Sequence, residues 1–502
     1  MKHKLILLAA LALLTTPPMR AASGSGLKMI TMEQLQDKIA GGWAAQTIGC
    51  AFGGPWEFKY LGKMIPDTTD LKFKSTAVKK YMLKWPGLYD DIYMDLTFVD
   101  IIDRLGLNAP ADSFARAFAY AGYPLWHANQ SGRWNVIRGL KSPKTGYWKD
   151  NPHADCIDYQ IESDYAGLMS PGMPNAASAI SDKVGHIMNY GDGWYGGVFV
   201  GAMYTQAFLY NNVEKIVTEA LRTVPVKSKF YKCIADVVKW YHENPSDWHK
   251  TWQLVQQNYS NDIGCPDGVD RAFNIDATVN AAYVVIGLLY GGGDLTKTAD
   301  ISTRCGQDAD CNPSTACGVL GCMLGYKNMP ETWHESVKDC EDINFAYTTI
   351  SLSKAYKLSL KHALMQVKKN GGKVEDDKVY IKVQRPKAVR YEKSFDGLKY
   401  SKSIALRQCQ IDKVPATTFR GKAIVLCGSF NCKDPNYTAE VDVIIDGKVV
   451  TTLKNTRNHF TENLDYLYYN YDLKPGNHTI SFKWKNPDAK AKYRCNRFIV
   501  YE

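Results

Sequence analysis

The sequence predicts an all-α domain followed by a small all-β sandwich domain, and three observations support this fold class. Apolar residues recur at steps of three and four along most of residues 32–369, the period of a helix packed on one side. The stretch NGGKVEDDK at residues 370–378 interrupts this pattern with two glycines and a run of charges. Beyond it, short segments rich in valine, isoleucine and tyrosine alternate apolar and polar residues between turn signals, which is typical of a β-sandwich.

Residues 1–22 predict a cleaved secretory signal peptide. Lys2 and Lys4 precede an uninterrupted apolar run at residues 5–14, and small residues follow at positions 21–23. We therefore expect the mature protein to lie outside the cytoplasm, either in a periplasm or secreted into the medium. No later apolar run is long enough to cross a bilayer, so no membrane span is expected.

The mature chain is predicted to contain a helical domain at residues 28–369, a linker at 370–378 and a β-sandwich at 379–502. Turn pairs such as Asp446-Gly447 separate the candidate strands, and we interpret the sandwich as a candidate carbohydrate-binding domain. The clearest helical periods lie at residues 113–121, 196–210, 229–241, 277–290 and 342–368.

The composition excludes some classes of partner. The chain of 502 residues is 45% hydrophobic and 22% charged, as expected for a globular protein long enough for two domains. Its formal net charge of +10 is scattered along the sequence, so no nucleic-acid partner is indicated. The cysteines number thirteen, and the four between residues 305 and 322 lack the spacing of a zinc cluster. We interpret most of them as small buried apolar residues.

Two clusters of aspartates stand next to apolar helical segments. Asp308 and Asp310 in QDADCN precede a helix of small residues, and Asp90 and Asp91 open another in YDDIYMD. Closely spaced carboxylates repel each other unless protons or a cation intervene. Either cluster alone can serve as a helix cap that complements the helix dipole. If the two helix starts meet, their four carboxylates form a site for a hard cation such as Mg²⁺.

A third stretch, GGWAAQTIGCAFGGPWEF at residues 41–58, carries a small residue at every fourth position from Ala45 to Gly53. The resulting bare stripe on the predicted helix permits the close approach of another helix or of a ligand. Tight packing of helices accounts for the stripe. It does not account for Glu57, an acid that follows a proline and a tryptophan where the helix should end.

Together, these three stretches resemble the motifs of the ADP-ribosylglycohydrolases, which are all-helical, metal-dependent enzymes that hydrolyse the bond between ADP-ribose and a protein side chain or a small acceptor. The family's opening motif, G-x3-G-x-A-I-G-D-A-L-G-x-P-x-E, corresponds to AQTIGCAFGGPWE in this chain. Its T-D-D-T-x-M corresponds to YDDIYM, and its G-x-D-T-D-T corresponds to GQDADC. The order and the flanking glycines also agree, and the resemblance covers about residues 32–369.

The resemblance implies a two-metal site, usually for Mg²⁺, between the two aspartate motifs. Glu57 corresponds to the mobile acid near the scissile bond, so Glu57 and Asp310 are the candidate catalytic residues. Metal ions can polarise a sugar hydroxyl or lower the pKa of a bound water, while carboxylates move protons. The candidate ligands for one or two ions, with Mn²⁺ or Ca²⁺ as alternatives to Mg²⁺, are Asp90, Asp91, Asp308 and Asp310.

Three positions depart from the family pattern. Tyr89 and Cys311 stand where the family has threonine beside each aspartate motif, and Cys50 replaces the aspartate of the opening motif. A thiol is a poor ligand for Mg²⁺. The sequence therefore leaves both one and two ions as alternatives, with Asp95 or Asn312 as candidate replacements for the lost oxygen ligands.

The stretch VGHIMNYGDGWYGGVFVGAM at residues 184–203 crowds polar and aromatic side chains around glycines. Aromatic faces combined with amide and carboxylate groups are the usual lining of a sugar pocket. The alternative interpretation is a tight turn between helices whose rings pack inward. On the first interpretation, with the tryptophan beside Glu57 included, the candidate substrate-binding residues are Trp56, Asn189, Tyr190, Asp192, Trp194 and Tyr195.

These inferences predict an exported, metal-dependent hydrolase that cleaves a glycosidic bond in a small-molecule or glycan substrate. The bond is either an ADP-ribosyl linkage, as the resemblance implies, or another glycoside such as a furanoside, which the signal peptide and the sandwich favour. The alternative from another class is a non-catalytic carbohydrate-binding protein, which Tyr89 and Cys311 favour. Retention of Glu57 and of the four aspartates argues against it, because buried clustered acids are costly. The sequence identifies no protein partner.

Overall fold

Helices dominate the described chain up to Lys369. The computed structural model describes residues 26–261, 263–456 and 466–502, and the predicted signal peptide at residues 1–22 lies outside these ranges. No helix within them is both long enough and apolar enough to cross a membrane. The α-helices in the described ranges are α1 (Met32–Gly53), α2 (Ala77–Lys84), α3 (Asp90–Leu105), α4 (Ala111–Ala119), α5 (His127–Ile137), α6 (Asp158–Ile161), α7 (Asp164–Leu168), α8 (Pro174–Gly185), α9 (Asp192–Ala207), α10 (Val213–Leu221), α11 (Lys229–Glu243), α12 (Trp248–Tyr259), α13 (Ala277–Gly291), α14 (Leu295–Arg304), α15 (Cys311–Leu324), α16 (Glu331–Val337) and α17 (Leu352–Lys369).

Antiparallel strands build the described chain after α17, and one further strand precedes α1. The strands are β1 (Leu27–Thr31), β2 (Lys373–Glu375), β3 (Lys378–Lys382), β4 (Tyr400–Cys409), β5 (Thr417–Gly421), β6 (Ala423–Cys432), β7 (Ala439–Ile445), β8 (Lys448–Asn455), β9 (Tyr466–Asn470), β10 (Gly476–Trp484) and β11 (Ala491–Tyr501). They form a sheet β1-β3-β2 and two four-stranded sheets, β5-β10-β7-β8 and β4-β11-β6-β9. Buried side chains from both four-stranded sheets, such as Leu426 and Val443, share one apolar cluster. The predicted fold class, a helical domain followed by an all-β domain, is confirmed.

The bare stripe on α1 is the surface that packs against α15. A Cβ atom built on Gly53 would lie 1.8 Å from the carbonyl oxygen of Ala309. A Cβ atom on Gly321 of α15 would lie 2.3 Å from the carbonyl oxygen of Gly41. Both distances are far below van der Waals contact, so the two backbones touch directly only because these positions are glycine. This contact fixes the C-terminal end of α1 against the residues that precede α15.

Substitution Gly53→Ala is expected to lower the free energy of unfolding by about 3 kcal/mol, the upper end of the usual cost of overpacking. The added methyl group meets a backbone oxygen, which cannot rotate away as a side chain would. Urea denaturation followed by circular dichroism measures the change. The matched control is Gly122→Ala, whose Cβ would meet no atom within 4 Å and should shift stability by less than about 0.5 kcal/mol. Equal effects of the two substitutions would contradict the packing argument.

The structure differs from the sequence-based boundaries where the two domains join. Residues 370–378, predicted as a linker, contain β2 and the start of β3, which pair with each other as a hairpin. β3 also pairs with β1, in a register that runs from Leu27 opposite Lys382 to Thr31 opposite Lys378. This sheet packs on the helical domain, for which the sequence predicts no strand. Strands this short, paired across the length of a domain, carry too few residues for a readable alternation.

One helix boundary is also displaced. The sequence predicts a helix from residue 342, but α17 begins at Leu352. The intervening residues form a turn in which the Phe345 N–H donates to the Ile350 carbonyl oxygen at 3.0 Å. Ser351 then caps α17, because its hydroxyl accepts from the Lys354 N–H at 3.4 Å.

The sandwich holds a loop of the helical domain in place. This loop joins α12 to α13, and within it the carbonyl oxygens of Pro266 and Val269 both accept from the Arg497 guanidinium of β11, at 2.9 Å. Apolar side chains of the two domains also share a cluster at this contact, for example Val269 and Ile499. Because the same loop contributes to the cavity described next, the sandwich supports one wall of that cavity.

Candidate active site

A cavity of about 610 Å³ opens where the C-terminal end of α1 meets the N-terminal ends of α3, α5 and α15. This volume is typical of a site for a small molecule. Five of the lining residues are carboxylic acids, and most of the others are aromatic or aliphatic. The lining residues are Glu57, Phe58, Trp85, Gly87, Leu88, Asp90, Pro124, Trp126, His127, Asn129, Ile157, Asp158, Ile161, Phe273, Ile275, Asp308, Asp310 and Cys311.

The first aspartate pair begins α3, so its carboxylates lie at the positive end of the helix dipole. Asp90 lines the cavity, whereas Asp91 is only 1% exposed. The Asp91 carboxylate accepts from the Ile92 N–H at 2.8 Å and from the Ser314 hydroxyl of α15 at 2.6 Å. Burial raises the pKa of Asp91 to about 7 in spite of these hydrogen bonds. Burial and the neighbouring charge of Asp91 raise the pKa of Asp90 well above its ordinary value.

The second aspartate pair lies immediately before α15. One oxygen of Asp308, one oxygen of Asp310 and the sulfur of Cys311 all lie within 4.8 Å of one another. Burial raises the pKa of both aspartates, and the charge of Glu57 adds to this effect at Asp310. The Cys311 sulfur lies 3.9 Å from Oδ1 of Asp90, so the two aspartate motifs meet in this cavity.

Glu57 enters the cavity after a short 3₁₀ turn at the end of α1. Two backbone hydrogen bonds join its segment to the one that carries Asp308. The Phe58 N–H donates to the Gln307 carbonyl oxygen at 3.1 Å, and the Gln307 N–H donates to that of Tyr60 at 3.0 Å. Burial and the charge of Asp308 raise the pKa of Glu57 to about 7. A carboxyl group with this pKa can hold or release a proton near neutral pH.

Sequence reasoning missed a further acidic element at the start of α6. Asp158 lines the cavity, and its carboxylate caps α5 by accepting from the N–H groups of Ala128 at 3.3 Å and Asn129 at 2.9 Å. Burial raises the pKa of Asp158 to about 7. The Asn129 amide donates to Glu162, which is fully buried. The available signal was the spacing of the acids in DYQIE, one helical turn apart, which also suits a solvated helix face.

The carboxylate cluster fits a divalent cation. Within the described ranges, Oδ1 of Asp310 is buried without a hydrogen-bond partner. Several adjacent carboxylates are costly to bury unless protons or a cation neutralise them. Carboxylate and hydroxyl oxygens are also the donors that hard divalent ions prefer. The residues that would hold the ion are Asp90, Asp91, Asp308 and Asp310.

The three departures from the family motifs have different structural outcomes. The Tyr89 hydroxyl donates to the Val78 carbonyl oxygen at 3.2 Å, and the Cys50 thiol donates to that of Leu88 at 3.1 Å. These two side chains are engaged by backbone oxygens and do not line the cavity. Cys311 does line it, and burial together with the nearby aspartates raises the pKa of its thiol well above the ordinary value. The protonated thiol is therefore favoured there while the aspartates are ionised.

The two candidate replacements for lost oxygen ligands do not line the cavity either. Asn312 donates from its amide to Oδ1 of Asn280 at 2.9 Å. Asp95 is fully buried, and its pKa is raised well above the ordinary value by burial and by the charge of Asp164. The hydroxyl of Ser314, in hydrogen-bond contact with Asp91, is the oxygen that the sequence analysis overlooked.

The loop predicted to bind sugar is instead packed in the core, which corrects the expectation for three of its residues. Asn189, Trp194 and Tyr195 are at most 1% exposed. The Trp194 indole donates to the Ser181 carbonyl oxygen at 3.1 Å, and the Tyr195 hydroxyl donates to that of Arg390 at 3.1 Å. These side chains hold helices and a crossing segment together, so they present no surface to a ligand.

Trp56, Tyr190 and Asp192 are partly exposed, but they do not line the acidic cavity. Trp56 packs beside Tyr60, with ring centroids 6.3 Å apart. Tyr190 packs edge-on against Tyr147, and Asp192 lines a separate polar depression. The aromatic side chains that line the acidic cavity are Phe58, Trp85, Trp126 and Phe273.

The raised pKa values predict that the metal-free protein loses stability as pH rises from 6.5 to 8.5. Glu57, Asp91 and Asp158 have pKa values of about 7 in the folded chain, against ordinary values of 4.5 and 3.8. The folded state therefore binds protons that the unfolded state has already released, and this stabilisation disappears as pH passes 7. The window lies at or above the ordinary pKa of histidine, 6.5. Buried histidines, whose pKa values are lowered, therefore contribute little to the change.

Thermal unfolding in the presence of a chelator, at pH 6.5 and at pH 8.5, measures this dependence. The midpoint should fall with rising pH, and saturation with a divalent ion should flatten the dependence because the cation replaces the protons. Asp308→Asn should also weaken it. A midpoint that rises with pH in the chelated protein would contradict the assignment.

The cavity combines clustered acids, the oxygen donors that a hard cation prefers, with aromatic walls. The sequence profile of the ADP-ribosylglycohydrolase family matches residues 31–359, and the chain belongs to this family. Membership indicates a hydrolase that cleaves a glycosidic bond, and the family is typically dependent on divalent metal ions. A solved structure described as an ADP-ribosylglycohydrolase-related protein complex is similar at 11% identity and a TM-score of 0.41, over 66% of this chain and 99% of that chain. No curated protein was found to match.

Proposed function

We propose that this protein is a divalent-metal-dependent hydrolase that cleaves an uncharged glycoside outside the cytoplasm. The observation that carries the proposal is the composition of the cavity. Five carboxylic acids lie beside aromatic and aliphatic walls, and no lysine or arginine of the described chain contributes to the lining. Trp85 and Trp126 remain 40% and 46% exposed at this cavity, and such rings are suited to stack on the apolar face of a sugar.

Each group of side chains in the cavity is assigned a separate role in hydrolysis. Asp90, Asp91, Asp308 and Asp310 would hold a divalent ion, which would supply Lewis acidity toward a sugar hydroxyl or a water molecule. Glu57, whose pKa is about 7, holds or releases the proton that accompanies cleavage of the glycosidic bond. Asp158 keeps the start of α5 in position through its two backbone hydrogen bonds and thereby orients Trp126 beside the cavity. The aromatic walls orient the sugar ring and exclude water.

The charge of the cavity favours a neutral substrate over ADP-ribose. A diphosphate group needs cationic or N–H donors to replace its hydration, and arginine and lysine usually provide them. The acids of this cavity repel an anion, and a bound cation is already balanced by its own carboxylate ligands. A furanoside that matches the ribose ring but lacks the diphosphate satisfies both the family chemistry and this electrostatic constraint.

The location outside the cytoplasm rests on the sequence of residues 1–22. A glycan substrate suits that location, since ADP-ribosylated proteins are mainly found inside cells. The C-terminal sandwich suits a role in binding carbohydrate next to the hydrolytic domain.

A substrate panel tests the proposal directly. The metal-loaded protein is incubated with neutral aryl furanosides and pyranosides and, separately, with ADP-ribosyl-arginine and ADP-ribosyl-serine. We expect turnover of at least one neutral furanoside and no turnover of the two ADP-ribosyl compounds. Turnover of the ADP-ribosyl compounds alone would overturn the neutral-substrate assignment while leaving the hydrolase class intact.

The alternative is a carbohydrate-binding protein that keeps the fold without catalysis. Its supporting observation is Cys311, a thiol within 4.8 Å of the Asp308 and Asp310 oxygens, where a hard cation prefers oxygen. Failure of every compound in the panel to react, combined with saturable binding of one of them, would favour this alternative.

A further inference from the structure

A second cluster of metal-ligating side chains lies behind the wall of the same cavity, and of its three members His127 lines the cavity. Ligand atoms of His127, His153 and Cys265 all lie within 4.8 Å of one another. His127 is the first residue of α5, His153 lies in the segment before α6, and Cys265 lies in the loop that the sandwich holds. Three separate segments thus converge on one point.

The imidazole of His153 is the centre of this cluster. Its Nδ1 lies 3.5 Å from the sulfur of Cys265 and 3.4 Å from the sulfur of Cys156. Its ring packs against Tyr466 of β9 on one side, with centroids 4.8 Å apart, and against His127, with centroids 5.3 Å apart. Nitrogen and sulfur donors are therefore enclosed together between the helical domain and the sandwich.

The second histidine carries an unsatisfied ring nitrogen. Nδ1 of His127 is buried and, in the part of the chain that the structure describes, has no hydrogen-bond partner. A buried polar atom of this kind costs free energy unless a ligand occupies it. Burial lowers the pKa of His127 to about 4 and that of His153 well below its ordinary value, so both rings are neutral, the form that binds metals.

The backbone at His127 is also held in an uncommon conformation. Its φ angle is +43°, which is costly for a residue with a Cβ atom, and the strain must be offset by neighbouring interactions. The capping of the following residues by Asp158 and the stacking of the ring on Phe273, with centroids 5.6 Å apart, provide such interactions. The fold therefore fixes this imidazole next to His153 rather than leaving it to solvent.

We propose that His127, His153 and Cys265 form a Zn²⁺ site that is separate from the carboxylate cluster. Two imidazoles and one thiolate are the donors that Zn²⁺ prefers, whereas the carboxylate oxygens suit harder ions. On binding, a bond forms between Zn²⁺ and the Cys265 sulfur, and the thiol proton passes to solvent. Cys156 is the neighbouring thiol, with its sulfur 3.4 Å from Nδ1 of His153.

The proposal gives the site a structural consequence for the cavity. The ion would join the start of α5, which carries the wall residue His127, to the loop that supplies the wall residue Phe273. It would thereby fix one side of the cavity while the carboxylate cluster fixes the other. The inference does not depend on the proposed substrate.

Cobalt titration tests the site in the complete mature protein. The protein is purified with a non-thiol reductant, stripped with a chelator and titrated with Co²⁺, whose bond to a thiolate gives an intense charge-transfer absorption in the near ultraviolet. We expect this band to appear during the titration, to disappear on addition of Zn²⁺ and to be lost in Cys265→Ser, whereas Co²⁺ bound by the carboxylate cluster adds no thiolate band. The matched control is Cys311→Ser, a buried cysteine beside the same cavity, which should retain the band.

Three outcomes would overturn the proposal. One is a folded wild-type protein that shows no thiolate band, which needs no variant and is therefore independent of any folding defect. Another is a band that survives Cys265→Ser but is lost in Cys311→Ser, which would place the thiolate ligand in the carboxylate cluster. The third is a Cys156–Cys265 disulfide in the protein isolated without reductant, detected by mass spectrometry of its peptides.

Discussion

Replacement of Glu57 by glutamine is expected to lower the rate of hydrolysis by roughly 100- to 10,000-fold, the usual contribution of a positioned acid or base. Binding of the uncleaved substrate should change little. Glutamine keeps the size and the hydrogen-bonding shape of the side chain but cannot release a proton. Because the pKa of Glu57 is raised to about 7 by burial and by Asp308, the lost group is one that is suited to proton transfer near neutral pH.

The measurement combines single-turnover kinetics on the reactive glycoside with calorimetric binding of a non-hydrolysable analogue. The matched control is Glu243→Gln on α11, a glutamate whose side chain is 52% exposed and lies outside the cavity. Equal losses of turnover and of binding in Glu57→Gln would indicate a structural role for this residue. An unchanged rate would indicate that another acid of the cavity transfers the proton, and Asp310→Asn would be the next variant to test.

The double substitution Asp91→Ala/Asp308→Ala is expected to remove the divalent ion from the carboxylate cluster. One residue comes from each aspartate motif, so neither half of the site retains its full set of oxygens. Loss of a second-sphere partner alone weakens metal binding by roughly 10- to 100-fold, so loss of two direct ligands should exceed that range. Elemental analysis after dialysis against Mg²⁺, Mn²⁺ or Ca²⁺ should find one or two ions per chain in the unmodified protein and none in the variant.

The same variant makes a prediction about stability that separates a metal site from a packing defect. In the presence of a chelator it should be no less stable than the unmodified protein, because it removes buried charges that repel each other. The control is Asp67→Ala/Asp70→Ala, two aspartates with side chains 63% and 69% exposed, which should leave the bound ion in place. An unmodified protein that binds no divalent ion under any of these conditions would favour the carbohydrate-binding alternative.

The acids of the cavity show how far the sequence predicts this site. Asp90 and Asp308 each follow an interruption of the helical sequence pattern and precede an apolar helix. The resemblance to the family motifs gives a reason for those helix starts to meet. The structure places them in one cavity with Glu57 and Asp310. Their roles as ligands and catalysts remain proposals. Asp158 was not predicted, because its position in the cavity depends on the packing of α5 against α6. No local sequence pattern indicates that packing.

The glycine-rich stretch at residues 184–203 shows why composition misled the sequence analysis. Glycine permits close approach, but the sequence does not say what approaches. A Cβ atom built on Gly193 would lie 2.2 Å from the Ala154 carbonyl oxygen, and one on Gly197 would lie 2.2 Å from Cδ1 of Tyr159. The glycines therefore accommodate neighbouring protein segments rather than a sugar, and the adjacent aromatic rings fill the space around them.

The proposed zinc site shows a different limit of prediction from sequence. His127, His153 and Cys265 come from three segments with no motif spacing between them, so a search for zinc signatures along the chain passes over them. The sandwich contacts the loop that carries Cys265, because Arg497 donates to two backbone carbonyl oxygens of that loop. All three side chains belong to the helical domain, and they converge only through tertiary packing that no sequence motif records.

The pairing of β1 with β3 has a consequence for how the chain reaches its native state. The first strand emerges earliest during synthesis, yet its partner is made only after α17 at the far end of the helical domain. The helix that follows it, α1, likewise packs on α15, which is synthesised much later. Contacts of such long sequence separation slow folding and expose apolar surface in the interim. Chains truncated before residue 378 should therefore leave β1 with an open strand edge, and chains truncated before residue 311 should also leave α1 uncovered. Both should accumulate as aggregates rather than as a folded fragment.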